Sequence, residues 1–329
     1  MKLIENIGIS IKVNKVIKVR CSIRKWMKQR MGKRTGAKTD TYSNIVEKLM
    51  ISNPYKISVI IPNYNYEQYL IERIDSVLFQ SYPIHELIIL DDCSTDNSVE
   101  VIRQKIKHIN TEFPIRLICN EKNSGSVFAQ WQKAFTEASG DYIWIAEADD
   151  SCSPLFLETV IKGFEDPGTV ISYCESLTMD EKNNILMGDL RPWIDQTNCG
   201  KWDDNYIRNG ITEITETMCI NNTIANVSSV VFRNGNYQDF FEKAKEFRLA
   251  GDWYIYMRIL ELGKIVYNSQ SLNYHRMQSQ GMTLSTTHKK EYEEIIRIQN
   301  YALEHYPISD ETKKKMLDRR ERERIRFGL

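Results

Sequence analysis

The chain has 329 residues, of which 42% are hydrophobic and 27% are charged, and this balance excludes disordered, collagen-like and coiled-coil proteins. No uncharged apolar run reaches the ~18 residues of a membrane-spanning helix, so we expect no transmembrane segment. The 7 cysteines are scattered and include no CxxC pair, which argues against a disulfide framework and against a zinc site. Lysines interrupt the apolar residues near the N-terminus, so we expect no signal peptide and a cytoplasmic protein.

The formal net charge of zero conceals two basic ends around an acidic middle. Residues 1–38 hold 12 lysines and arginines and 1 acid, residues 313–329 hold 8 basic residues and 3 acids, and residues 39–312 carry a net charge of −16. A nucleic-acid-binding protein would need a basic face on its folded part, so we expect no nucleic-acid partner. Basic ends with interspersed apolar residues suit the anionic inner face of the cell membrane and predict peripheral association there. A solvated tail is the alternative.

Strands and helices are predicted to alternate from residue 57 onward. Short β-branched and leucine-rich runs predict buried parallel strands at 57–61, 87–90, 115–119 and 142–146. Apolar residues at helical spacing predict helices between these strands, at 67–80, from Val99 to Ile106 and from the turn at Gly125 to Ser139. Further helices are predicted at 237–247, 253–262 and 292–306. Such alternation implies βαβ units, and therefore an α/β fold with a mostly parallel sheet flanked by helices.

Three segments are expected along the chain. Residues 1–55 are predicted to be a basic N-terminal extension, residues 56–306 a single α/β domain, and residues 307–329 a basic, helical C-terminal tail. The long middle segment contains no internal repeat and no low-complexity linker that would divide it.

Polar and acidic residues follow three of the predicted strands. They are Pro62-Asn63-Tyr64-Asn65, Asp91-Asp92 and Glu147-Ala148-Asp149-Asp150. Because the carboxyl ends of parallel strands lie at one edge of a sheet, we expect these turns to meet. Clustered carboxylates need a cation or hydrogen-bond donors to offset their charge, and hard oxygen ligands favour Mg²⁺ or Mn²⁺. For any single pair, a helix cap or a solvated turn is the alternative.

Several common catalytic motifs do not occur. No GxxxxGK[ST] or GxGxxG loop follows the first strand, which argues against a P-loop NTPase and a dinucleotide-dependent dehydrogenase. No HExxH or GxSxG occurs, which removes the commonest zinc-protease and serine-hydrolase signatures.

Four motifs occur in order, and they are ISVIIPNYNYEQYL, IDSVLFQSYP, ELIILDDCSTDNS and NSGSVFAQWQKAFTEASGDYIWIAEADD. This series resembles the nucleotide-sugar domain of family 2 glycosyltransferases, the inverting group with the GT-A fold. The resemblance is tightest over residues 57–155 and extends to about residue 290. It implies a GT-A-type fold with a nucleotide-sugar half, 56–155, and an acceptor half, 156–290.

The resemblance implies how the donor base would be bound. Tyr64 would pack beside the nucleobase, Pro62 lies in the same turn, and Asp92 would bond to the base. Gln130 departs from the family, many of whose members have an arginine in this region, so the phosphate contacts are expected to differ.

The family's DxD motif falls on Glu147-Ala148-Asp149. By this match Asp149 would bind Mg²⁺ or Mn²⁺, while Glu147 and Ala148 would contact the nucleotide sugar. Glu147 replaces the usual aspartate and is one methylene longer. We expect this difference to change the contact with the ribose more than the binding of the metal.

Two later segments resemble the acceptor side of the family. Asp252, in Leu249-Ala250-Gly251-Asp252-Trp253, would be the catalytic base, because an inverting transfer needs a carboxylate to take the proton of the acceptor hydroxyl. An N-cap role for Asp252 is the alternative. Arg276 would contact the donor diphosphate, His275 would approach the metal or phosphate, and residues 278–285 would close as a lid. A surface pair is the alternative for His275 and Arg276.

The resemblance therefore implies an inverting, metal-dependent transfer from a nucleoside-diphosphate sugar to a saccharide. With basic ends, we expect a lipid-linked saccharide as the acceptor. The stretch WIAEADD is similar to transferases of bacterial O-antigen or capsule assembly, some of them rhamnosyltransferases. A sugar-nucleotide nucleotidyltransferase and a non-catalytic partner subunit of a glycosyltransferase complex remain as alternatives.

Overall fold

A mixed sheet of ten strands forms the centre of the computed structural model, which describes residues 55–195, 200–278 and 288–329. The strands are β1 Ile57–Asn63, β2 Glu86–Asp91, β3 Ile115–Cys119, β4 Tyr142–Ile145, β5 Ser151–Cys152, β6 Thr169–Met179, β7 Ile185–Asp189, β8 Tyr206–Asn209, β9 Val230–Arg233 and β10 Lys264–Arg276. The helices are α1 Leu70–Leu78, α2 Ser98–Lys107, α3 Val127–Glu137, α4 Phe156–Val160, α5 Arg191–Ile194, α6 Gly210–Glu213, α7 Gln238–Ala244, α8 Gly251–Leu260, α9 His288–His305 and α10 Asp310–Arg326.

The strand order is β3-β2-β1-β4-β9-β6-β10-β5, with β7 beside β6 and β8 beside β10. Strands β3, β2, β1, β4, β6 and β10 run in one direction, while β9 runs against its neighbours β4 and β6. Ile60 on β1 lies between Ile88 of β2 and Ile145 of β4, so equivalent apolar residues of the three central strands lie side by side. This arrangement confirms the predicted α/β fold with a mostly parallel sheet.

Both faces of the central sheet are buried. Alternate residues of β1 enter two apolar clusters, because successive side chains of a strand point to opposite faces. Ile60 belongs to the cluster that includes Phe128 and Phe232, whereas Val59 and Ile61 belong to the cluster around Trp144. Burial on both faces explains why the strand sequences are continuously apolar rather than alternating.

The first strand is longer than predicted and the first helix is shorter. Strand β1 continues through Pro62, which lacks a backbone N–H, to Asn63. This is tolerated because β4 pairs with β1 only as far as Ile60, so no ladder hydrogen bond is lost beyond that point. Helix α1 begins at Leu70 and not at residue 67, because Glu67 accepts a hydrogen bond from Asn97 N (2.6 Å) and its own N–H bonds to Asp96 (3.0 Å).

The chain ends in two helices, α9 and α10, which confirm the predicted helical C-terminal tail. Ile295, Ile298 and Ala302 of α9 and Met316 of α10 are buried in the core. Most cations of α10 contact nearby acids or amides, as in the pairs Arg319–Glu323, Lys315–Glu311, Arg324–Glu321 and Lys313–Asp310. Many charges of the basic tail are therefore paired locally, although α10 keeps more basic than acidic residues.

The described residues all fall within one structural unit, Tyr55–Leu329. None of the helices in the described ranges is long and apolar enough to cross a membrane. The predicted N-terminal extension lies outside the described residues, apart from Tyr55, and the domain boundaries at 155, 290 and 306 stay predictions.

Candidate active site

The carboxyl ends of four parallel strands and the start of β9 bring polar residues to one edge of the sheet. Asn63 ends β1, Asp91 ends β2, the turn 147–150 follows β4 and Arg276 ends β10. The turn before β9 faces this edge as well, because β9 runs in the opposite direction to β4. We call the side chains of Glu147, Asp149, Asp150 and His275 the acid edge.

Asp150 is the buried centre of the acid edge, with only 2% of its surface exposed. Its carboxylate accepts hydrogen bonds from Asn226 Nδ2 (2.9 Å) and Arg276 N (2.9 Å), and Oδ1 lies 3.3 Å from His275 Nδ1. Burial would raise the pKa of Asp150, but the hydrogen bond and charge of His275 outweigh it and hold the pKa below its usual range. Asp150 is thus ionised and fixes the end of β10 against the turn after β4.

Asn226 joins three segments at the acid edge. Besides donating to Asp150, its Nδ2 lies 2.6 Å from His275 Nδ1, and its Oδ1 accepts from Asn273 Nδ2 (3.0 Å) and Ser228 N (2.8 Å). Asn226 therefore positions the His275 ring, whose Nδ1 faces Asp150 and Asn226. A ring oriented in this way would offer Nε2 to a ligand.

Glu147 and Asp149 are two neighbouring acids whose carboxyl groups resist ionisation. Burial and then the charge of Asp149 raise the pKa of Glu147 to about 8, although Trp131 Nε1 donates a 2.9 Å hydrogen bond to its Oε1. Burial and then the charge of Asp150 raise the pKa of Asp149 to about 6. Gln278 donates to Asp149 Oδ2. Such crowded acids favour a cation, which would lower their pKa values.

Arg73 of α1 is a buried cation next to these acids. It is fully buried, its guanidinium lies 5.0 Å from the centre of the Trp144 ring, and Nη1 lies 3.5 Å from Ser76 Oγ. Its Nε and Nη2 have no hydrogen-bond partner within the described ranges. Its charge acts on both Glu147 and Asp150 by lowering their pKa values. Arg73 is therefore a fixed internal positive charge behind the acid edge.

The predicted base-binding residues lie at the ends of β1 and β2. Tyr64 is 43% exposed, so its ring is accessible, whereas Pro62 is buried. Asp92 accepts hydrogen bonds from Asn120 Nδ2 (2.6 Å), Ser124 N (2.9 Å) and Ser124 Oγ (2.7 Å). Because the chain's own donors surround this carboxylate, Asp92 orders the loop before α3. Its predicted contact with a base stays a prediction.

Gln130 and Ala148 are also buried beside these segments. Gln130 donates from Nε2 to Ser124 Oγ (3.1 Å), and no partner for its Oε1 occurs in the described part of the chain. Ala148 is fully buried and leaves its acidic neighbours to face the edge.

Arg276 is almost fully buried, at 2% exposure, and bonds to four groups of the protein. Its guanidinium donates to the carbonyls of Asp149 (2.7 Å) and Asp180 (2.9 Å), to Asn183 Oδ1 (2.5 Å) and to Glu72 Oε2 (3.1 Å). The surface-pair alternative does not fit this burial. A phosphate contact, which stays a prediction, would require some of these hydrogen bonds to be exchanged.

Asp252 lies in the first turn of α8, one residue after Gly251, and the N-cap position belongs to Ala250. Its Oδ1 accepts from Trp253 N (2.6 Å) and its Oδ2 from Asn222 Nδ2 (3.0 Å). Burial, partly offset by these bonds, raises the pKa of Asp252 to about 7. A carboxyl group with this pKa can take a proton near neutral pH.

Tyr256 is a buried tyrosine on the same helix as Asp252. It lies one helical turn after Asp252 on α8, is fully buried, and its hydroxyl has no hydrogen-bond partner among the described residues. Burial, then the charges of Asp252 and Glu147, raise the pKa of Tyr256 well above its usual value. The pKa of Tyr256 thus responds to two carboxylates from opposite halves of the chain.

The side chains at the acid edge fit a divalent cation that is held partly by the protein and partly by a bound substrate. No group of three or more His, Cys, Asp or Glu side chains in the described segments is arranged as a metal cage. Mg²⁺ is commonly held by one or two carboxylates together with substrate phosphates and water rather than by an all-protein cage. Asp149, whose crowded carboxyl faces the edge, would hold the cation, with His275 as the second candidate.

Sequence reasoning gave no role to several residues that build this site. Asn226 lies in a region without a motif, and a lone asparagine carries no signal. Arg73 could have been noticed, because it sits beside the apolar positions Leu70 and Ile74 on the buried stripe of α1. The predicted lid lies outside the described residues except for its first residue, Gln278.

The model of the family Glycosyl transferase family 2 matches residues 58–240, which is more than half of the chain. The protein belongs to this family, and the resemblance found in the motifs is confirmed. Two curated relatives are the Bacillus subtilis (strain 168) protein TuaG, named for teichuronic acid biosynthesis, and the glycosyltransferase EpsE of the same strain. TuaG is 31% identical over an alignment of 165 residues that covers 44% of this chain and 64% of TuaG. EpsE is 39% identical over 116 residues, which is 35% of this chain and 40% of EpsE.

The matched segment thus spans less than two thirds of either curated relative. Solved structures match over a larger part of the chain. Staphylococcus aureus TarS 1–349 in complex with UDP-GlcNAc superposes with a TM-score of 0.58 at 17% identity, covering 83% of this chain and 73% of that one. A mannosyltransferase of Pyrobaculum calidifontis in complex with GDP-Man and Mn²⁺ superposes with a TM-score of 0.56 at 16% identity. The match covers 82% of this chain and 70% of that one. At such low identity these matches establish the shared GT-A fold.

Proposed function

We propose that the protein is an inverting, divalent-metal-dependent glycosyltransferase that moves a sugar from a nucleoside-diphosphate sugar to a saccharide acceptor. The observation that carries this proposal is the convergence of Glu147, Asp149, Asp150 and His275 at the carboxyl edge of the sheet in a member of glycosyltransferase family 2. The solved structures of the same fold with UDP-GlcNAc and with GDP-Man and Mn²⁺ support a nucleotide-sugar donor and a divalent cation.

The donor would lie across the edge, with its base near Tyr64 and Asp92 and its diphosphate near Asp149. A Mg²⁺ or Mn²⁺ ion, when bound, would neutralise the diphosphate and the charge of the leaving group. Glu147 and Ala148 would contact the nucleotide sugar, and Arg276 holds the backbone of Asp149 in place from behind. Positioning and charge stabilisation would supply most of the rate enhancement.

Asp252 would act as the general base. Its carboxylate would take the proton of the acceptor hydroxyl, whose oxygen attacks the anomeric carbon as the bond to the nucleoside diphosphate breaks. Because the attack comes from the side opposite the leaving group, the anomeric configuration inverts. Asn222 orients the Asp252 carboxylate through its 3.0 Å hydrogen bond.

The acceptor we propose is a lipid-linked saccharide of cell-surface polysaccharide synthesis at the inner face of the membrane. The names of TuaG and TarS, for teichuronic acid and poly(ribitol-phosphate), support this class of product, and the basic residues of 1–38 suit an anionic membrane surface. O-antigen and capsule assembly, including rhamnosyl transfer, fall within this proposal.

The test is product formation with a panel of UDP-, dTDP- and GDP-sugars, with Mn²⁺, with Mg²⁺ and with chelator. Transfer to an oligosaccharide acceptor, dependent on the metal and with inverted anomeric configuration, supports the proposal. Conversion of a sugar nucleotide and added pyrophosphate into a nucleoside triphosphate and a sugar 1-phosphate would instead identify a nucleotidyltransferase. Binding of a sugar nucleotide without turnover under all conditions would identify a non-catalytic partner subunit.

A further inference from the structure

Glu294, on the C-terminal helix α9, makes an unusual contact with the main chain in front of Asp252. It is only 7% exposed, although a glutamate is ordinarily found at the surface. Its Oε1 accepts from Arg248 N (2.7 Å), and its Oε2 accepts from Leu249 N (2.8 Å) and Ala250 N (2.9 Å). Three consecutive backbone N–H groups thus converge on one carboxylate.

These three N–H groups belong to the residues that lead directly into α8. Ala250 is the N-cap of α8, Gly251 is its first residue and Asp252 its second. A helix cannot satisfy the N–H groups at its own start, of which the N–H of Ala250 is one, whereas those of Arg248 and Leu249 lie in the segment before it. A carboxylate placed there satisfies all three donors and interacts favourably with the helix dipole. The direction in which α8 begins, and with it the position of Asp252, is therefore tied to Glu294.

Two further contacts hold the same segment. A Cβ atom at Gly251 would lie 2.4 Å from Phe128 Cε2, so the start of α8 is packed directly against α3. Arg297, also on α9, donates to the carbonyl of Glu246 (3.2 Å) and lies 4.2 Å over the ring of Phe247. Helix α9 thus follows the backbone from Glu246 to Ala250.

We propose that Glu294 is a positioning residue for Asp252, which makes α9 an integral part of the candidate active site. The expected effect on the transfer rate rests on the proposed function. The expected hold on the start of α8 rests on the hydrogen bonds alone. Displacing a catalytic group by about 1 Å costs on the order of 100-fold in rate, so a small shift at the start of α8 is sufficient to be measured. The hydrogen bonds of the Glu294 carboxylate go to the backbone of residues 248–250 and not to β1, β2 or β4.

The test compares Glu294→Gln and Glu294→Ala with Glu293→Gln, in the full-length chain. Glu293 is the exposed neighbour on the same helix, so its substitution makes the same chemical change without the three hydrogen bonds. Three quantities are measured: the exchange rates of the amides of residues 248–252, the affinity for UDP or GDP with Mn²⁺, and kcat and KM for transfer. Circular dichroism and thermal unfolding verify that each variant folds.

For Glu294→Gln we expect faster exchange of these amides, a nucleotide affinity within about twofold of the Glu293→Gln control, and a kcat lower by roughly 10- to 100-fold. A kcat equal to that of the control would overturn the positioning role, even if exchange is faster. Unchanged exchange rates would overturn the contact itself. If the unsubstituted protein transfers no sugar at all, the proposed function fails, and the exchange rates still decide whether Glu294 holds the start of α8.

Discussion

The Nδ1 atom of His275 lies 3.3 Å from Oδ1 of Asp150, although 125 positions separate the two residues along the chain. The contact exists because β10 runs parallel to β6 and carries its carboxyl end to the edge at which β4 also ends. Burial opposes a charged His275, but its hydrogen bond to Asp150 and the charges of both aspartates raise its pKa. The pair therefore joins the two halves of the domain at the candidate site.

Substituting Asn226 by Ala should loosen this junction. The change removes the donor to Asp150 and the acceptor for Asn273 and Ser228, and each buried group left unsatisfied costs roughly 1–3 kcal/mol. We expect the free energy of unfolding, measured in urea, to fall by at least ~2 kcal/mol. Asn110→Ala, at an exposed position in the loop after α2, is the control and should change it by less than ~0.5 kcal/mol. Equal stability of the two variants would mean that the hydrogen bonds of Asn226 do not hold these segments together.

Substituting Asp252 by Asn should separate transfer from donor binding. Without a base, kcat is expected to fall by about 10²- to 10⁴-fold while the affinity for the nucleoside diphosphate is kept. In the unsubstituted protein kcat should rise with pH through about 7, because the pKa of Asp252 is raised to about 7 and only the carboxylate can take a proton. If Asp252→Asn has an unaltered kcat, or if kcat of the unsubstituted protein does not rise through pH 7, then Asp252 is not the catalytic base.

The same pKa makes a prediction for stability. The usual pKa of an aspartate, 3.8, is raised to about 7 in the folded protein, so between these values the folded chain holds a proton that the unfolded chain has released. Stability from this group is therefore present at low pH and declines as the pH rises through that range. Asp252→Asn lacks the effect, so its melting temperature should exceed that of the unsubstituted protein by more at pH 8 than at pH 5. A difference that does not change with pH would contradict the raised pKa.

Substituting Tyr256 by Phe tests the buried hydroxyl one helical turn after Asp252. Because this hydroxyl lacks a partner in the described part of the chain, its removal should leave stability unchanged or raise it by up to about 1 kcal/mol. Tyr254→Phe on the same helix is the matched control, since that hydroxyl accepts a 3.1 Å hydrogen bond from Arg258 and its loss should cost about 1 kcal/mol. Loss of kcat in Tyr256→Phe with stability retained would show that the hydroxyl serves the reaction.

The sequence allowed the donor half of the site to be predicted better than the acceptor half. Strands β1, β2 and β4 are apolar runs that end in polar turns, so their shared edge followed from parallel pairing alone. The strand that carries His275 did not follow, because β10 has no continuous apolar run. That His275 would approach the metal or phosphate was expected from the family resemblance alone. Only 4 of the 13 residues of β10 are buried, at irregular spacing, and its pairing with β6 is interrupted by register shifts.

Contacts between distant single residues were the hardest to predict. Glu294 resembles any other glutamate on the charged surface of a helix, and only the folded chain shows that three N–H groups face it. Arg276 was predicted to contact phosphate, whereas the structure gives it four partners within the protein. Such roles depend on tertiary packing, which local patterns do not encode.

The central claim is that Asp149 holds a divalent cation against the diphosphate of a sugar nucleotide. The most direct measurement is titration calorimetry of UDP and GDP into the protein and into Asp149→Asn, each with Mn²⁺ and with chelator. Asp141→Asn, at an exposed acid before the buried part of β4, serves as the control. We expect the unsubstituted protein and the control to bind one of these nucleotides at least ~10-fold more tightly with Mn²⁺ than with chelator, and Asp149→Asn to lose that difference. Equal affinities with Mn²⁺ and with chelator in the unsubstituted protein would contradict the claim.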